Sequence, residues 1–256
     1  MILSVRDVTK RFGGLVANDG ISFDVGDGAM VAVIGPNGAG KTTLFNIISG
    51  AMEPTEGSVR FAGDEIVGLA QHEVAQRGLV RTFQLVQLFK SLTAAQNVSV
   101  GFHRITKGSV GSALFRRQWV RDQQAMIERK TSELLEFVGL EGLGGMMADH
   151  LPYGQQRLLE LARALAAEPK LLLLDEPAAG LNVHETAALA DVIERINRRG
   201  IAVLLVEHDM NLVMRIAQRI VVLDFGRKIA EGTPDEVKTH PAVLAAYLGG
   251  EETVRA

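Results

Sequence analysis

Gly35-Pro36-Asn37-Gly38-Ala39-Gly40-Lys41-Thr42-Thr43 follows an apolar run, Met30 to Ile34, and leads into Leu44-Phe45-Asn46-Ile47-Ile48. The run before it predicts a strand and the run after it a helix, the context in which G-x-x-x-x-G-K-[ST] reads as a phosphate-binding loop. Its glycines let consecutive backbone N–H groups curl toward one point, and the following helix turns its positive end to the same anion. Lys41 adds a point charge for the β and γ phosphates, and the Thr42 hydroxyl can ligate Mg2+. By itself the loop predicts a nucleoside triphosphate ligand and no more; together with the rest of the chain, the expected fold class is α/β, a P-loop NTPase.

A second stretch completes the site. Leu171-Leu172-Leu173-Leu174-Asp175-Glu176 is an aliphatic strand ending in two carboxylates. Ligands of open α/β sheets sit beyond the carboxyl ends of the strands, so both acids are predicted to reach the pocket built by Gly35 to Thr43. Asp175 can hold Mg2+, directly or through water, while Glu176 can orient and deprotonate the attacking water. Successive strand residues point opposite ways, so each acid takes one of these tasks. Val203 to Val206 is another aliphatic strand, and it runs through Glu207 to His208. An imidazole at that strand end can donate to a γ-phosphate. Gln84, after Arg81-Thr82-Phe83, reads in isolation as a solvated residue at a strand end. Leu151-Pro152-Tyr153-Gly154-Gln155-Gln156-Arg157 precedes an amphipathic helix, whose start is a second positive helix end. One triphosphate with two such ends predicts two subunits.

The bulk properties narrow the class. The chain has 256 residues, 47% of them hydrophobic, enough for one sizeable α/β core with a small attached subdomain. A net charge of -3 argues against a nucleic-acid partner. Cysteine is absent, which excludes disulfides, thiolate nucleophiles and cysteine metal sites and fits a reduced, cytosolic setting. The opening Met1 to Asp7 carries no secretory pattern, and no apolar run is long enough to span a bilayer, so a membrane process would be served from outside the lipid.

Short strands are predicted at Ile2 to Val5, Ile21 to Val25 and Met30 to Ile34, then at Gly57 to Phe61 and Leu79 to Phe83. Thr93-Ala94-Ala95-Gln96 reads as a capping box, and Gln118 to Val138 as a charged amphipathic helix. From Gln155 onward helix and strand alternate, which implies a parallel sheet covered on both faces. The expected organisation is a single domain over 1–256. Its catalytic core lies at about 1–92 and 165–256, with an N-terminal antiparallel β portion, a mixed sheet, and an inserted helical subdomain at about 93–164.

Taken together, the phosphate loop, Gln84, Leu151 to Arg157, Leu171 to Glu176 and His208 resemble the ATPase subunit of ABC transporters over essentially the full length. The resemblance makes Phe12, in Lys10-Arg11-Phe12-Gly13-Gly14, the aromatic that stacks on adenine. It makes Gln84 the residue linking the Mg2+ and water site to the membrane subunit, and His208 the switch histidine. Leu151 to Gln155 become the signature motif, with Pro152, Tyr153, Gly154 and Gln155 contacting nucleotide across a dimer, and Ala178 to Asn182 the D-loop. Within that superfamily, Lys10 to Leu15, Arg81 to Gln84, Tyr153 to Arg157, Asp175 to Asn182 and the tail from Glu207 through Gly232-Thr233-Pro234 to Gly249 look like branched-chain amino acid importer ATPases of the Liv type.

The implied ligands are ATP and Mg2+. The implied partners are a second ATPase subunit, identical or related, and transmembrane permeases, with a periplasmic solute-binding protein engaged indirectly, at the cytoplasmic face of a bacterial inner membrane. Amide or urea uptake and lipopolysaccharide export stay open as alternatives, as does a soluble non-transport role; the last is disfavoured because neither tandem ATPase halves nor a long coiled coil is present. The sequence departs from the general signature Leu-Ser-Gly-Gly-Gln at Pro152 and Tyr153. Pro152 supplies neither a hydroxyl nor a backbone N–H to a γ-phosphate, donors typically worth ~1 kcal/mol each. Proline is tolerated in a first helical turn, so the motif can still fold. In a heterodimer this signature is expected to complete the weaker site, while Glu176 serves a cleavage-competent one. Asn182 stands where many relatives carry aspartate. A basic and aromatic set, His103, Arg104, Lys107, Phe115, Arg116, Arg117, Trp119 and Arg121, reads either as a solvated helix face or as a rim facing permease loops and anionic headgroups.

Overall fold

Met30–Ile34 (β3), Leu171–Asp175 (β7) and Ala202–Val206 (β8) are apolar almost without interruption, and every residue in them is buried. Such strands need cover on both faces and belong inside a parallel sheet. The computed structural model, which describes residues 1–82, 84–104 and 117–248, places them there. They pair in parallel with Leu79–Arg81 (β6) and Arg219–Asp224 (β9), and Arg227–Gly232 (β10) adds an antiparallel edge, giving the order β10-β9-β3-β8-β7-β6. A second, antiparallel sheet has the order β2-β1-β4-β5 and is formed by Leu3–Phe12 (β1), Leu15–Val25 (β2), Glu56–Phe61 (β4) and Asp64–Glu65 (β5). The helix Lys41–Ile48 (α1) shares one hydrophobic core with both sheets, through Leu44, Phe45, Val5, Phe61, Val33 and Leu173.

The first two strands run well beyond the apolar stretches that predict them. In β1 the polar Lys10 and Arg11 continue the ladder to β2 through register shifts, while Arg6 pairs with Ser58 of β4 and Asp7, at φ 48°, lies in a break of the β1–β2 register. Pairing on both sides of β1 overrides the weak strand preference of these residues, because ladder hydrogen bonds and one buried face decide the state. Phe83, at the end of the strand predicted over Leu79 to Phe83, lies outside the described residues.

The chain divides into two compact units, 1–84 with 170–256, and 85–169. The first also holds Gln71–Arg77 (α2), and further along the helices Val183–Arg198 (α6), Met210–Ile216 (α7), Pro234–Thr239 (α8) and Pro241–Leu248 (α9). The second is built on Ala94–Gly101 (α3), Arg117–Phe137 (α4) and Tyr153–Ala166 (α5). Thr93 closes the predicted capping box on α3, its hydroxyl accepting from Gln96 N. The buried Asn97 side chain donates to the Phe89, Leu92 and Thr93 carbonyls and accepts from Phe89 N, which pins the loop leading into α3. In the basic and aromatic set of this unit, His103 and Arg121 are exposed, while the side chains of Arg104, Lys107, Phe115, Arg116, Arg117 and Trp119 lie outside the described residues, as does Gly249 of the tail. No described helix is long and apolar enough to cross a membrane.

Candidate active site

The loop from Gly35 to Gly40 depends on residues without Cβ at its two ends. At Gly35 a Cβ would lie 2.1 Å from the Leu223 carbonyl oxygen, and at Gly40, with φ 94°, it would lie 2.3 Å from that of Ala17. Only glycine lets the backbone pass so close to β2 and β9. Gly40 is the N-cap of α1, which begins at Lys41, three residues before the apolar stretch that predicts it. The Lys41 side chain folds back over the loop, with Nζ donating to Gly35 O at 2.7 Å and Pro36 O at 2.8 Å. Burial lowers the proton affinity of this ammonium, and the negative charge of Glu176 works against that.

Asp175 is the last residue of β7 and is buried. Its Oδ2 accepts from Arg81 Nη2 at 2.6 Å, and the same guanidinium donates through Nη1 to Asn46 Oδ1 and Ser49 Oγ on and just past α1. Glu176 follows with φ 45°, a conformation unusual for a side chain with a Cβ, and its N–H donates to Val206 O of β8. This turn swings the carboxylate out of the strand so that Oε2 accepts from Gln84 Nε2 at 2.7 Å and Oε1 meets His208 Nε2 at 2.8 Å. Gln84, beyond the end of β6, and His208, beyond the end of β8, therefore converge on the one carboxylate that follows β7. An ionised carboxylate has about four acceptor sites, so each oxygen keeps capacity for a water.

Glu207 is a participant that the strand-end reading of Val203 to His208 overlooks. It is buried, with Oε1 accepting from Ala178 N at 2.7 Å and Oε2 from His208 N at 2.9 Å and Asp209 N at 3.3 Å. Burial raises its pKa, the three backbone donors oppose the rise, and the charge on Glu176 adds to it. One buried carboxylate thus ties the segment after Glu176 to the one that presents His208. Asp209 then caps α7 by accepting from Asn211 and Leu212 N–H groups. Arg81 is also missing from the predicted set; a cation inside the short strand predicted over Leu79 to Phe83, three residues before Gln84, is the available signal for it.

Glu176, His208 and the loop from Asn37 to Thr43 line a cleft of about 450 Å³, to which Phe12, Leu15, Val16, Ala17 and Phe225 add apolar lining. Among the described residues no cluster of three or more His, Cys, Asp or Glu side chains is poised for a metal. The oxygen groups expected to serve Mg2+ are the Thr42 hydroxyl, which lines this cleft, the Asp175 carboxylate paired to Arg81, and the amide of Gln84, which donates to the cleft residue Glu176. That set fits Mg2+, which takes one or two carboxylates and completes its shell with phosphate oxygens and water.

In the second unit Pro152 is the N-cap of α5, at φ -54° and ψ 152°, with no side-chain cap. The helix starts at Tyr153, two residues earlier than predicted from Gln155 onward, because proline's fixed φ suits a helix entrance. Gln156 Nε2 ties the turn by donating to Leu151 O. Tyr153 is exposed, with the Arg157 guanidinium 5.5 Å from its ring centroid, and Gly154 is buried. Arg157 pairs with Glu160 at 3.3 Å inside the unit, and burial raises the Glu160 pKa against the pull of that arginine.

Residues 18–179 match the family described as ABC transporter, and residues 227–253 match that of the branched-chain amino acid ATP-binding cassette transporter. The chain is 45% identical over 97% of its length to the high-affinity branched-chain amino acid transport ATP-binding protein BraF of Pseudomonas aeruginosa, covering 98% of that protein. Its fold is similar to the ADP conformation of MJ1267, an ATP-binding cassette of an ABC transporter, with TM-score 0.84 and 33% identity over 97% of this chain and 98% of that one. It is also similar to a dimeric post-hydrolysis state of the cassette MJ0796 bound to ADP and Pi, with TM-score 0.76 and 26% identity over 91% and 99% of the two chains.

Proposed function

Because the chain belongs to the ABC transporter family, as a subunit that binds ATP and hydrolyses it to drive transport, we propose that it powers branched-chain amino acid uptake through a membrane permease. The match of residues 227–253 to the branched-chain amino acid cassette supports the choice of solute. We place the protein at the cytoplasmic face of a bacterial inner membrane, bound to permeases that receive solute from a periplasmic binding protein.

The observation that carries the chemistry is Glu176 held between Gln84 and His208 beside the Lys41 loop. An incoming triphosphate replaces the Gly35 and Pro36 carbonyls around Lys41 Nζ, exchanging neutral acceptors for anionic ones and offsetting the cost of burying the ammonium. Thr42, Asp175 and Gln84 would hold Mg2+, which neutralises charge on the β and γ oxygens when bound. Glu176 accepts a proton from water as its oxygen attacks the γ-phosphorus, and the bond to the bridging oxygen breaks to leave ADP. His208 donates to the γ oxygens, and Phe12 stacks on the base. The N–H groups of Gly154 and Gln155 from a second subunit close the site from the other side, and Pro152 and Tyr153 shape that surface. Hydrolysis removes the shared anion, so the two subunits part and the permease changes its access.

The test is co-purification with the permeases and reconstitution in vesicles. ATP turnover stimulated by binding protein loaded with leucine, isoleucine or valine is expected. Stimulation by another solute class alone would overturn the choice of substrate, and failure to associate with permeases would overturn the transport role.

A further inference from the structure

The β9–β10 hairpin is closed by Phe225 and Gly226, with Asp224 paired to Arg227. Both turn residues have positive φ, 42° and 77°, as in two-residue type I′ hairpins. That turn favours Asn, Asp or Gly at its first position, and a bulky aromatic residue there is strained. Phe225 is also 87% exposed, so no packing compensates for the strain. The next residue is fastened in place, with Gly226 N donating to Ala39 O of the phosphate loop and Gly226 O accepting from Asp19 N of β2. The ring is thus held over the nucleotide cleft, whose lining it shares with Phe12 and Leu15, themselves 46% and 66% exposed.

Resting on the nucleotide reading above, we propose that Phe225 is a second aromatic surface of the base subsite, seating the nucleobase together with Phe12. Aromatic faces gain from stacking on a flat π-system and have little effect on a bare phosphate chain. The strained turn places the ring beside the phosphate loop, and a bound base covers a surface that is otherwise left to water.

The experiment compares wild type, Phe225→Asn and Phe225→Tyr in titrations with ATP, ADP and tripolyphosphate, alongside thermal unfolding. Asparagine suits the left-handed turn, so its unfolding midpoint should be no lower than that of wild type. Its ATP and ADP affinities should nevertheless fall about two- to tenfold, the range expected for one stacking contact. Tripolyphosphate affinity should not change, and the tyrosine variant should bind nucleotide like wild type. Equal ATP affinity in Phe225→Asn would overturn the inference. So would an equal loss for tripolyphosphate, which would mean that the turn acts only through the phosphate loop. Failure of the wild-type chain to bind ATP would instead remove the nucleotide reading itself, a result distinct from either.

Discussion

Arg81 Nη2 stands 2.6 Å from Asp175 Oδ2, with the two side chains only 9% and 8% exposed, so the acid assigned to Mg2+ is paired inside the protein. The arginine spans β6, β7 and α1 through its further bonds to Asn46 and Ser49. Removing one partner of a buried pair leaves the other charged and poorly solvated. Arg81→Ala is therefore expected to lower unfolding stability by about 3 kcal/mol or more. Urea unfolding would measure this, and a loss under about 1 kcal/mol, the size of an exposed pair, would contradict it.

Asn182 is the N-cap of α6. Its Oδ1 accepts from Glu185 N at 3.0 Å while Glu185 Oε2 accepts from Asn182 N at 3.0 Å. Asparagine and aspartate cap about equally well, so Asn182→Asp should leave stability nearly unchanged. Asn182→Ala should cost about 1 kcal/mol. Chemical denaturation of the three proteins would decide; a drop for Asn182→Asp matching that of the alanine variant would show that the cap is not what this position supplies.

The local parts of the site were legible because their signals are covalently close. The phosphate loop combines a strand, a fixed glycine spacing and a helix, and Leu171 to Glu176 carries its acids at the end of an unmistakable buried strand. What escaped depends on contacts between distant segments. Arg81 reaches Asp175 across 94 positions, and Glu207 reaches Ala178 across 29, neither of which periodicity can reveal. The full length of β1 and β2 is hidden for a similar reason, since their polar centres are strands only when paired to neighbouring strands. Gln84 reads in isolation as a solvated residue and takes its meaning only from the resemblance of the whole motif set; in the structure its amide meets Glu176.

Glu207 makes a pH-dependent prediction. Burial raises its native pKa, so between the ordinary glutamate value and the raised one the folded chain binds the proton more tightly than the unfolded chain. Stability from this group therefore falls as pH climbs through that window and levels off above it. Glu207→Gln cannot titrate and offers a single acceptor to three donors, so it should cost about 1–2 kcal/mol at the acid end, the gap narrowing as pH rises. Unfolding midpoints across a pH series would measure this, and a gap that widens with pH would refute the sign. Because Glu207 also anchors His208, the same variant should lower kcat while leaving the KM for ATP close to wild type.

Glu176→Gln tests the chemistry most directly. The amide keeps the size of the side chain and can still accept through its oxygen, so the contacts with Gln84 and His208 survive in part and ATP should bind as before. It cannot take the proton from water, and a positioned base contributes about 10²- to 10⁴-fold. Turnover at the site containing this chain's Glu176 should drop by at least the lower figure, and the nucleotide-bound pair of subunits should persist, since the event that separates them no longer occurs. Pro152 gives the site completed by this chain's signature fewer donors, so most of the wild-type turnover of a heterodimer should pass through the site that holds this Glu176. Introducing the change in this chain alone and assaying the assembled transporter would show it, and unchanged turnover would remove Glu176 as the base and the asymmetry between the two sites with it.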